Sequence, residues 1–328
     1  MKYANVQAVP LSVAVFLAND NYDYSADPST ISATTLIRPL RQIVLAARVP
    51  QEDANIDLTQ MVALRVGTAI HDGFERAWVE NYQRAMLQLG YSPSVIDRVR
   101  VNPSQEEIAL GSDDIIPVYL EKRAWKQVGK YVVSGKFDFV GDGRLEDVKT
   151  TSTYVAMNHT NDDKHVLQGS IYRWLNQDII TRDDMAIQFI FTDWSKAKAL
   201  GDPKYPQHRI LERKHLLMPV AETQTWIENK LYLIDQYWDV EEEEIPLCTD
   251  ADLWRGEPVF KYYKNPSKVG RATKNFEIKA EAFARMADDN HVGVVKEVQG
   301  QVNACKYCQA FPICSQAQAL IAAGDLVL

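Results

Sequence analysis

The stretch Gly135-Lys-Phe-Asp138-Phe-Val-Gly-Asp-Gly-Arg-Leu-Glu-Asp147-Val-Lys149-Thr150 leaves the chain few choices. Apolar and polar residues alternate from Tyr131 to Val140, Gly141-Asp142-Gly143 supplies a turn, and Arg144–Thr150 returns as a second strand. That pattern predicts a β-hairpin. Side chains two apart in a strand share a face, which puts Asp147 beside Lys149. Asp138, on the neighbouring strand, comes close to both. Two carboxylates suit a hard divalent cation, and an ammonium beside them can orient water or stabilise developing negative charge. Such a set is suited to hydrolysing a phosphodiester.

Around this hairpin the periodicity changes between helix and strand. Residues 1–30 show little pattern and read as an irregular lead-in. Ser32–Arg48 has a broad helical stripe (Leu36, Leu40, Ile43, Leu45) that Pro39 breaks or kinks. Thr59–Leu89 predicts a long helix through Val62, Val66, Ile70, Phe74, Ala77 and Trp78, ended by Gly90-Tyr-Ser-Pro93. A polar, turn-rich stretch at 94–115 precedes strands at Val118–Val128, Tyr131–Val140 and Arg144–Thr150. His165–Ile180 reads as a helix, Met185–Trp194 and His208–Met218 as strands, Val220–Val240 and Phe276–Asp288 as helices. The expected fold is α/β, a central mixed β-sheet flanked by helices, with helical additions. The expected division is a lead-in at 1–30, a core at 31–240, and a C-terminal arm at 241–328.

Composition narrows the classes. At 46% hydrophobic and 24% charged residues, the 328-residue chain has the make-up of an ordinary globular protein. The longest apolar runs, such as Val13–Ala18 and Ile43–Ala47, are too short to cross a bilayer. No basic segment followed by an apolar block opens the sequence, so a cytoplasmic protein is expected, in a host's cytoplasm if the source is viral. A net charge of −8 argues mildly against a nucleic-acid binder, but its distribution is uneven. Glu241–Glu244 concentrates negative charge, while Lys261, Lys264, Lys268, Arg271 and Lys274 follow one another with Tyr262 and Tyr263 alongside. That basic stretch either tracks a phosphate backbone and stacks bases or is a solvated loop.

Two further pairs carry candidate chemistry. In Gly67-Thr-Ala-Ile-His71-Asp-Gly-Phe-Glu75, His71 and Glu75 are one helical turn apart, so the imidazole could complete a carboxylate metal site with Glu75 orienting its ring. In His165-Val-Leu-Gln168-Gly-Ser-Ile-Tyr172, Gln168 and Tyr172 share a face and can hydrogen-bond a phosphate without adding charge. Taken alone, each pair is more often an ordinary packed or solvated helix face.

Taken together and in this order, the elements resemble the RecB-type branch of the PD-(D/E)XK nuclease superfamily. The matches are Gly67, His71 and Glu75 on a helix, Gly135 and Asp138 in the hairpin, Asp147, Lys149 and Thr150 on a strand, and Gln168 and Tyr172 on the next helix. The resemblance spans roughly residues 30–195 and implies a restriction-endonuclease-like core with two Mg²⁺ or Mn²⁺ ions. It assigns His71, Asp138, Asp147 and the Val148 carbonyl as metal ligands, Lys149 to the attacking water and the phosphate, and Gln168 and Tyr172 to substrate alignment. Glu121 is a weaker candidate for a supporting acid. Products with 5′-phosphate and 3′-hydroxyl ends are implied.

Cys305-Lys-Tyr-Cys308-Gln-Ala-Phe-Pro-Ile-Cys314 groups three of the four cysteines near the end of the sequence. In a reducing compartment such a group wants a metal, either an iron–sulfur cluster or structural zinc. The spacing resembles the C-terminal cluster of iron–sulfur members of the same branch, AddB-type helicase-nucleases and CRISPR-associated exonucleases, which implies [4Fe–4S]. Those proteins take a fourth cysteine from ahead of the nuclease core. Here Arg38-Pro39-Leu40-Arg41 occupies that place, which leaves Cys248 as the remaining fourth ligand. The leading expectation is a metal-dependent DNA exonuclease of recombination, repair or processing, acting on single strands or duplex ends. The alternatives are a catalytically inactive DNA-binding accessory of the same fold and a hydrolase of small phosphorylated substrates. No Walker A loop is present, so a helicase or annealing partner would be a separate chain.

Overall fold

The computed structural model describes residues 2–20, 27, 29–50, 55–110, 114–268 and 270–328. Residues 21–26 and 28 of the expected lead-in and 111–113 of the expected turn-rich stretch lie outside the described residues. The fold is α/β, with mixed sheets flanked by helices. Among the described residues no helix is long and apolar enough to cross a membrane.

The chain forms two compact units, one of residues 1–37 and 55–232, the other of residues 38–54 and 233–328. These limits differ from the expected 30/31 and 240/241. The helix Leu40–Arg48 belongs to the second unit, and the second boundary falls within the helix Val220–Tyr237. Pro39 explains the first cut, because it separates Ala33–Leu36 from Leu40–Arg48 and so lets one predicted helix serve two bodies. Nor is the lead-in wholly irregular. It holds the strand Lys2–Ala4, which pairs in parallel with Asn55–Asp57, and the helix Leu11–Ala18. That helix is apolar almost throughout, so it carries no amphipathic period to read.

In the first unit a six-stranded mixed sheet runs Ile210–Leu216, Asp184–Phe191, Arg144–Thr151, Phe139–Gly141, Ile116–Leu120, Val99–Val101. Asp184–Phe191 lies parallel to Arg144–Thr151, with Ile187 opposite Asp147 and Phe189 opposite Lys149. Being internal and covered on both faces, Asp184–Phe191 reads as a continuous apolar run rather than an alternation. A second sheet joins Thr30–Ser32, Tyr131–Lys136 and Arg123–Val128.

The predicted strand Tyr131–Val140 is therefore two strands in two sheets. Its partner is interrupted at the same level, Ile116–Leu120 giving way to Arg123–Val128. The ribbon they form bends from one sheet into the other at Glu121–Lys122 and Phe137–Asp138. Two backbone bonds hold the bend, Glu121 N–H to the Asp138 carbonyl at 3.1 Å and Phe137 N–H to the Lys122 carbonyl at 3.3 Å. Glu121 adopts φ 50°, a left-handed conformation that a glutamate takes only where its surroundings enforce it. The bend thus sets down two carboxylates side by side.

Helices fix the remaining groups. The long helix Val62–Gln88 packs Phe74, Trp78, Tyr82 and Met86 against Val99, Val118, Leu120 and Phe139, with Trp78 and Phe139 rings 5.1 Å apart. Its apolar contacts lie toward its C-terminal half, while its one buried residue among those described is Arg65 near its start. Val62 and Val66, expected on the same stripe, are 46% and 37% exposed. The helix Asp162–Leu175, shorter than the predicted 165–180, is buried along Gln168–Trp174. It crosses Tyr131–Lys136 so closely that a Cβ on Gly135 would stand 2.7 Å from Leu175 Cδ1 and 2.9 Å from Tyr172 Cδ1. Glycine at 135 is a packing requirement.

The second unit contains an antiparallel sheet Lys274–Phe276, Val259–Tyr263, Val294–Val298 under the helix Lys279–Asp288. Besides Leu40–Arg48 and the end of Val220–Tyr237, it holds short turns and the helix Ser315–Ala322 around the cysteines.

Candidate metal centre

His71 faces the bend from one turn ahead of the anchoring Phe74. Its Nδ1 lies 3.5 Å from Asp138 Oδ2 and 3.8 Å from Glu121 Oε1. His71, Glu121 and Asp138 each offer a ligand atom, and these atoms lie within 4.8 Å of one another. Two oxygens on opposite sides of one Mg²⁺ are about 4.2 Å apart, so this spacing fits a single shared cation. Among the described residues it is the one His/Cys/Asp/Glu grouping that tight.

Asp147 stands outside that triad but is coupled to it. It is 3% exposed, and its Oδ2 meets Lys149 Nζ at 2.7 Å without a well-directed hydrogen bond. A buried carboxylate oxygen so poorly satisfied is a vacancy for a strong electrophile. Asp138 Oδ2 joins the two halves, since it also accepts the Val148 N–H at 3.0 Å. Burial, and then the charge of Asp147, push the Asp138 carboxyl up to about 7. A cation beside Asp138 would relieve that penalty on its charged form.

The surrounding charges agree with that reading. The hydrogen bond to Glu121 raises the His71 pKa against the effect of burial, and Asp138 adds to it. Burial disfavours the Glu121 carboxylate, yet His71 and Lys136 outweigh it and hold the group below its ordinary value. The Lys149 ammonium is likewise opposed by burial and held above its ordinary value by Asp147 and Asp138. The Lys136 ammonium closes on Glu121 directly.

Among the other expected residues, Gln168 and Tyr172 are buried and bonded to each other, Gln168 Nε2 donating to the Tyr172 hydroxyl at 2.7 Å. They line a cleft of about 410 Å³ with His71, Glu121, Lys136 and Asp138, whereas Asp147 and Lys149 are not part of its lining. Glu75, expected to orient His71, makes no bond to it among the described residues. Glu121 and Asp138 face the ring instead.

Sequence reasoning passed over Lys136 and His165. Lys136 sits between the motif positions Gly135 and Asp138, and its partnership with Glu121 depends on the bend, which leaves no local signature. His165 is 9% exposed, has a buried Nδ1 without a partner, and is pushed down to about 4 by burial and by Lys149. It is a neutral imidazole beside the Asp147–Lys149 pair.

The cysteines form a separate site within the second unit. Cys248, Cys305, Cys308 and Cys314 are all free thiols and line one cavity. Cys308 and Cys314 follow consecutive 3₁₀ turns, Ala304–Tyr307 and Phe311–Ile313. Cys248 is pinned by a reciprocal pair, its N–H to Gln316 Oε1 and its carbonyl from Gln316 Nε2, both at 2.9 Å. Burial, with Asp252 and the neighbouring thiols adding, pushes the Cys248 thiol up to about 12, and burial raises Cys305 and Cys308 as well. Four thiols gathered from positions 248 to 314 in a buried pocket form a donor set that fits a thiophilic metal group.

The basic stretch is largely strand edge and turn. Lys264, Lys268, Arg271 and Lys274 are exposed, Lys261 is half-buried, and Lys264 Nζ lies 3.2 Å from Asp289. Tyr262 and Tyr263 do not offer rings for base stacking. They are 0% and 7% exposed, on the central strand of the sheet, and the Tyr262 hydroxyl donates to Asp289 and to the Val292 carbonyl.

No protein-family model and no curated protein matches the chain. Several solved structures are similar to it at low identity. SSO0001 is 16% identical at a TM-score of 0.39, covering 64% of this chain and 79% of that one. A phage-related exonuclease from Haemophilus somnus is 14% identical at 0.26, over 41% and 64%. A conjectured exonuclease from Eubacterium rectale is 10% identical at 0.33, over 67% and 89%.

Proposed function

We propose that this protein is a divalent-metal-dependent DNA nuclease, an exonuclease working on single strands or duplex ends in recombination, repair or processing. The observation that carries the reading is the convergence of His71, Glu121 and Asp138 to single-ion spacing, next to a buried Asp147 paired with Lys149. His71, Glu121, Asp138, Asp147 and the Val148 carbonyl would hold Mg²⁺ or Mn²⁺, with room in the donor set for two ions. Bound there, the ions would lower the pKa of water and neutralise charge on the attacking and leaving oxygens. Lys149 supplies a fixed ammonium for the phosphate. Gln168 and Tyr172 line the cleft with neutral donors that align the strand, and Lys261, Lys264, Lys268, Arg271 and Lys274 would contact backbone phosphates.

The second unit would carry a [4Fe–4S] cluster on Cys248, Cys305, Cys308 and Cys314. Four free thiols lining one cavity support a thiolate-held metal group, with structural zinc as the alternative to the cluster.

A time course on end-labelled single- and double-stranded DNA, with Mn²⁺ or with EDTA, tests the reading. Metal-dependent release of nucleotides from an end is expected. In Asp147→Asn and Lys149→Ala the rate should fall about 10³-fold or more while DNA binding persists, since each removes charge placed for the transition state. Binding without cleavage in the unaltered protein would instead identify an inactive DNA-binding accessory.

A further inference from the structure

Beside the four thiols stands a cation with one donor left over. Arg41, on the helix Leu40–Arg48, is 2% exposed and lines the same cavity as the cysteines. Its two terminal nitrogens are fully engaged. Nη1 donates to the carbonyls of Glu242 at 3.1 Å and Ile245 at 2.9 Å, while Nη2 donates to Ser315 Oγ at 3.1 Å and to the Glu242 carboxylate. Its Nε is buried and has no partner.

These contacts leave the guanidinium no freedom to turn. Glu242 also accepts from the N–H and Oγ of Ser315, both at 2.7 Å, and Ser315 directly follows Cys314. Arginine, glutamate and serine therefore form a brace that ends on a cysteine's neighbour. A buried N–H left without an acceptor on a charged group costs a few kcal/mol, and proteins rarely accept that without a reason. Apart from Arg41 and the cysteines, the cavity is walled by Leu45, Leu253, Ala310, Phe311, Ala317 and two glutamines, Gln42 and Gln316, and the Gln316 Oε1 already accepts the Cys248 N–H. Sulfur is thus the acceptor that most of the polar lining offers, and Arg41 is close enough for its charge to act on Cys248.

We propose that the Arg41 Nε–H donates a charge-assisted hydrogen bond to a sulfur of the cysteine-held cluster, stabilises its reduced form, and thereby raises its reduction potential. The inference rests on the cluster reading above. An iron–sulfur centre becomes more negative on reduction, so a fixed cationic donor at its sulfurs favours the reduced state. Arg41 is a positioning residue with an electrostatic effect; it touches no nucleic acid and ligates no metal. The segment that resembles the place of a fourth cysteine in related nucleases would here supply a counter-charge instead.

The test begins with anaerobic reconstitution and measurement of iron and sulfide. If the unaltered protein takes up zinc or nothing, the cluster reading itself has failed. With a cluster present, Arg41→Lys keeps the charge and the Glu242 partner but loses the Nε donor. The expected result is unchanged iron and sulfide, with the reduction equilibrium shifted at least tenfold toward the oxidised form, which is 59 mV for one electron. An unchanged midpoint in a fully loaded variant overturns the proposal. Should Arg41→Lys fail to hold its cluster, the unaltered protein decides. In protein labelled with ¹⁵N-arginine, pulsed electron paramagnetic resonance of the reduced cluster should show one coupled arginine nitrogen, and its absence rules out the bond.

Discussion

The cleft of the first unit and the cysteine cavity of the second reach readiness for a metal in opposite ways. The cleft is already charged and partly paired, with Asp138 still pushed up by burial and by Asp147. His71 and Lys136 face Glu121, Lys149 faces Asp147, and Asp138 is tied to a backbone amide. In the cysteine cavity burial raises the Cys248, Cys305 and Cys308 thiols above their ordinary values, and Arg41 is the cation the lining contributes. The first site is built by a bend in a sheet ribbon, held by backbone hydrogen bonds. The second joins short turns to two apolar clusters that include the cysteines, and ligation of the sulfurs would add cohesion to that packing.

The sharpest way to break that contrast is to remove each metal in turn. Cys248→Ser should abolish the absorbance near ~400 nm and most of the bound iron, and should lower the melting transition of the second unit. EDTA treatment, which empties a magnesium site, should leave far-ultraviolet circular dichroism unchanged and stop cleavage alone. If chelation of Mg²⁺ unfolded the protein, or if Cys248→Ser retained full cofactor, the contrast would be wrong.

The next effect comes from the carboxyl of Asp138, which burial and the neighbouring Asp147 push up to about 7. A carboxyl whose folded pKa lies above its unfolded value binds more protons in the native state. Metal-free stability therefore falls as pH rises from about 4 to about 7, by at most about 4 kcal/mol. Asp138→Asn should remove that slope, so the metal-free variant melts higher than the parent at pH 8 and equally at pH 4. It should also lose the proton released when Mn²⁺ binds, which a pH indicator in weak buffer records. A parent protein whose metal-free melting temperature is flat between pH 4 and pH 8 contradicts the account.

How much of this was legible in sequence depended on whether contacts were local. The hairpin acids, the lysine two residues on, and the paired residues at helical spacing are short-range patterns; of these His71, Asp138, Gln168 and Tyr172 line one cleft, while Asp147 pairs with Lys149 outside its lining. Glu121 could be suspected only from its place before the hairpin. Its nearness to His71 follows from a left-handed residue and a change of sheet, which alternation cannot announce. The same change divided one predicted strand into two. Tyr262 and Tyr263 looked available for stacking because neighbouring residues in a strand should face opposite sides; here both sides are covered. Arg41 showed only within the segment standing at the place of an expected cysteine, since its partners lie 201 to 274 residues away.

Glu121 then offers a smaller test of whether the bend matters. Glu121→Gln preserves size and left-handed backbone while removing one charge from the triad and the counter-ion of Lys136. We expect Mn²⁺ affinity, read by calorimetry, to fall about 10- to 100-fold. An unaffected affinity would confine ion binding to His71, Asp138 and Asp147, and the bend would be mere architecture.

The smallest effect separates two glycines that the sequence motif treats alike. At Gly135 an added Cβ collides with Leu175 and Tyr172, whereas at Gly67 its nearest neighbour is Thr150 Oγ1 at 3.4 Å. Gly135→Ala overpacks the junction of strand and helix and should cost about 1–3 kcal/mol in denaturant melts. Gly67→Ala lies within the helix Val62–Gln88, where alanine is favoured over glycine by up to about 1 kcal/mol, so stability should hold or rise. Gly67 also lines the cleft. Any loss in its variant should therefore appear in KM for DNA and not in melting. Equal destabilisation of the two variants would mean the long helix is held against Arg144–Thr151 more tightly than that 3.4 Å approach allows, and the cleft would then owe its shape to Gly67 as much as to the bend.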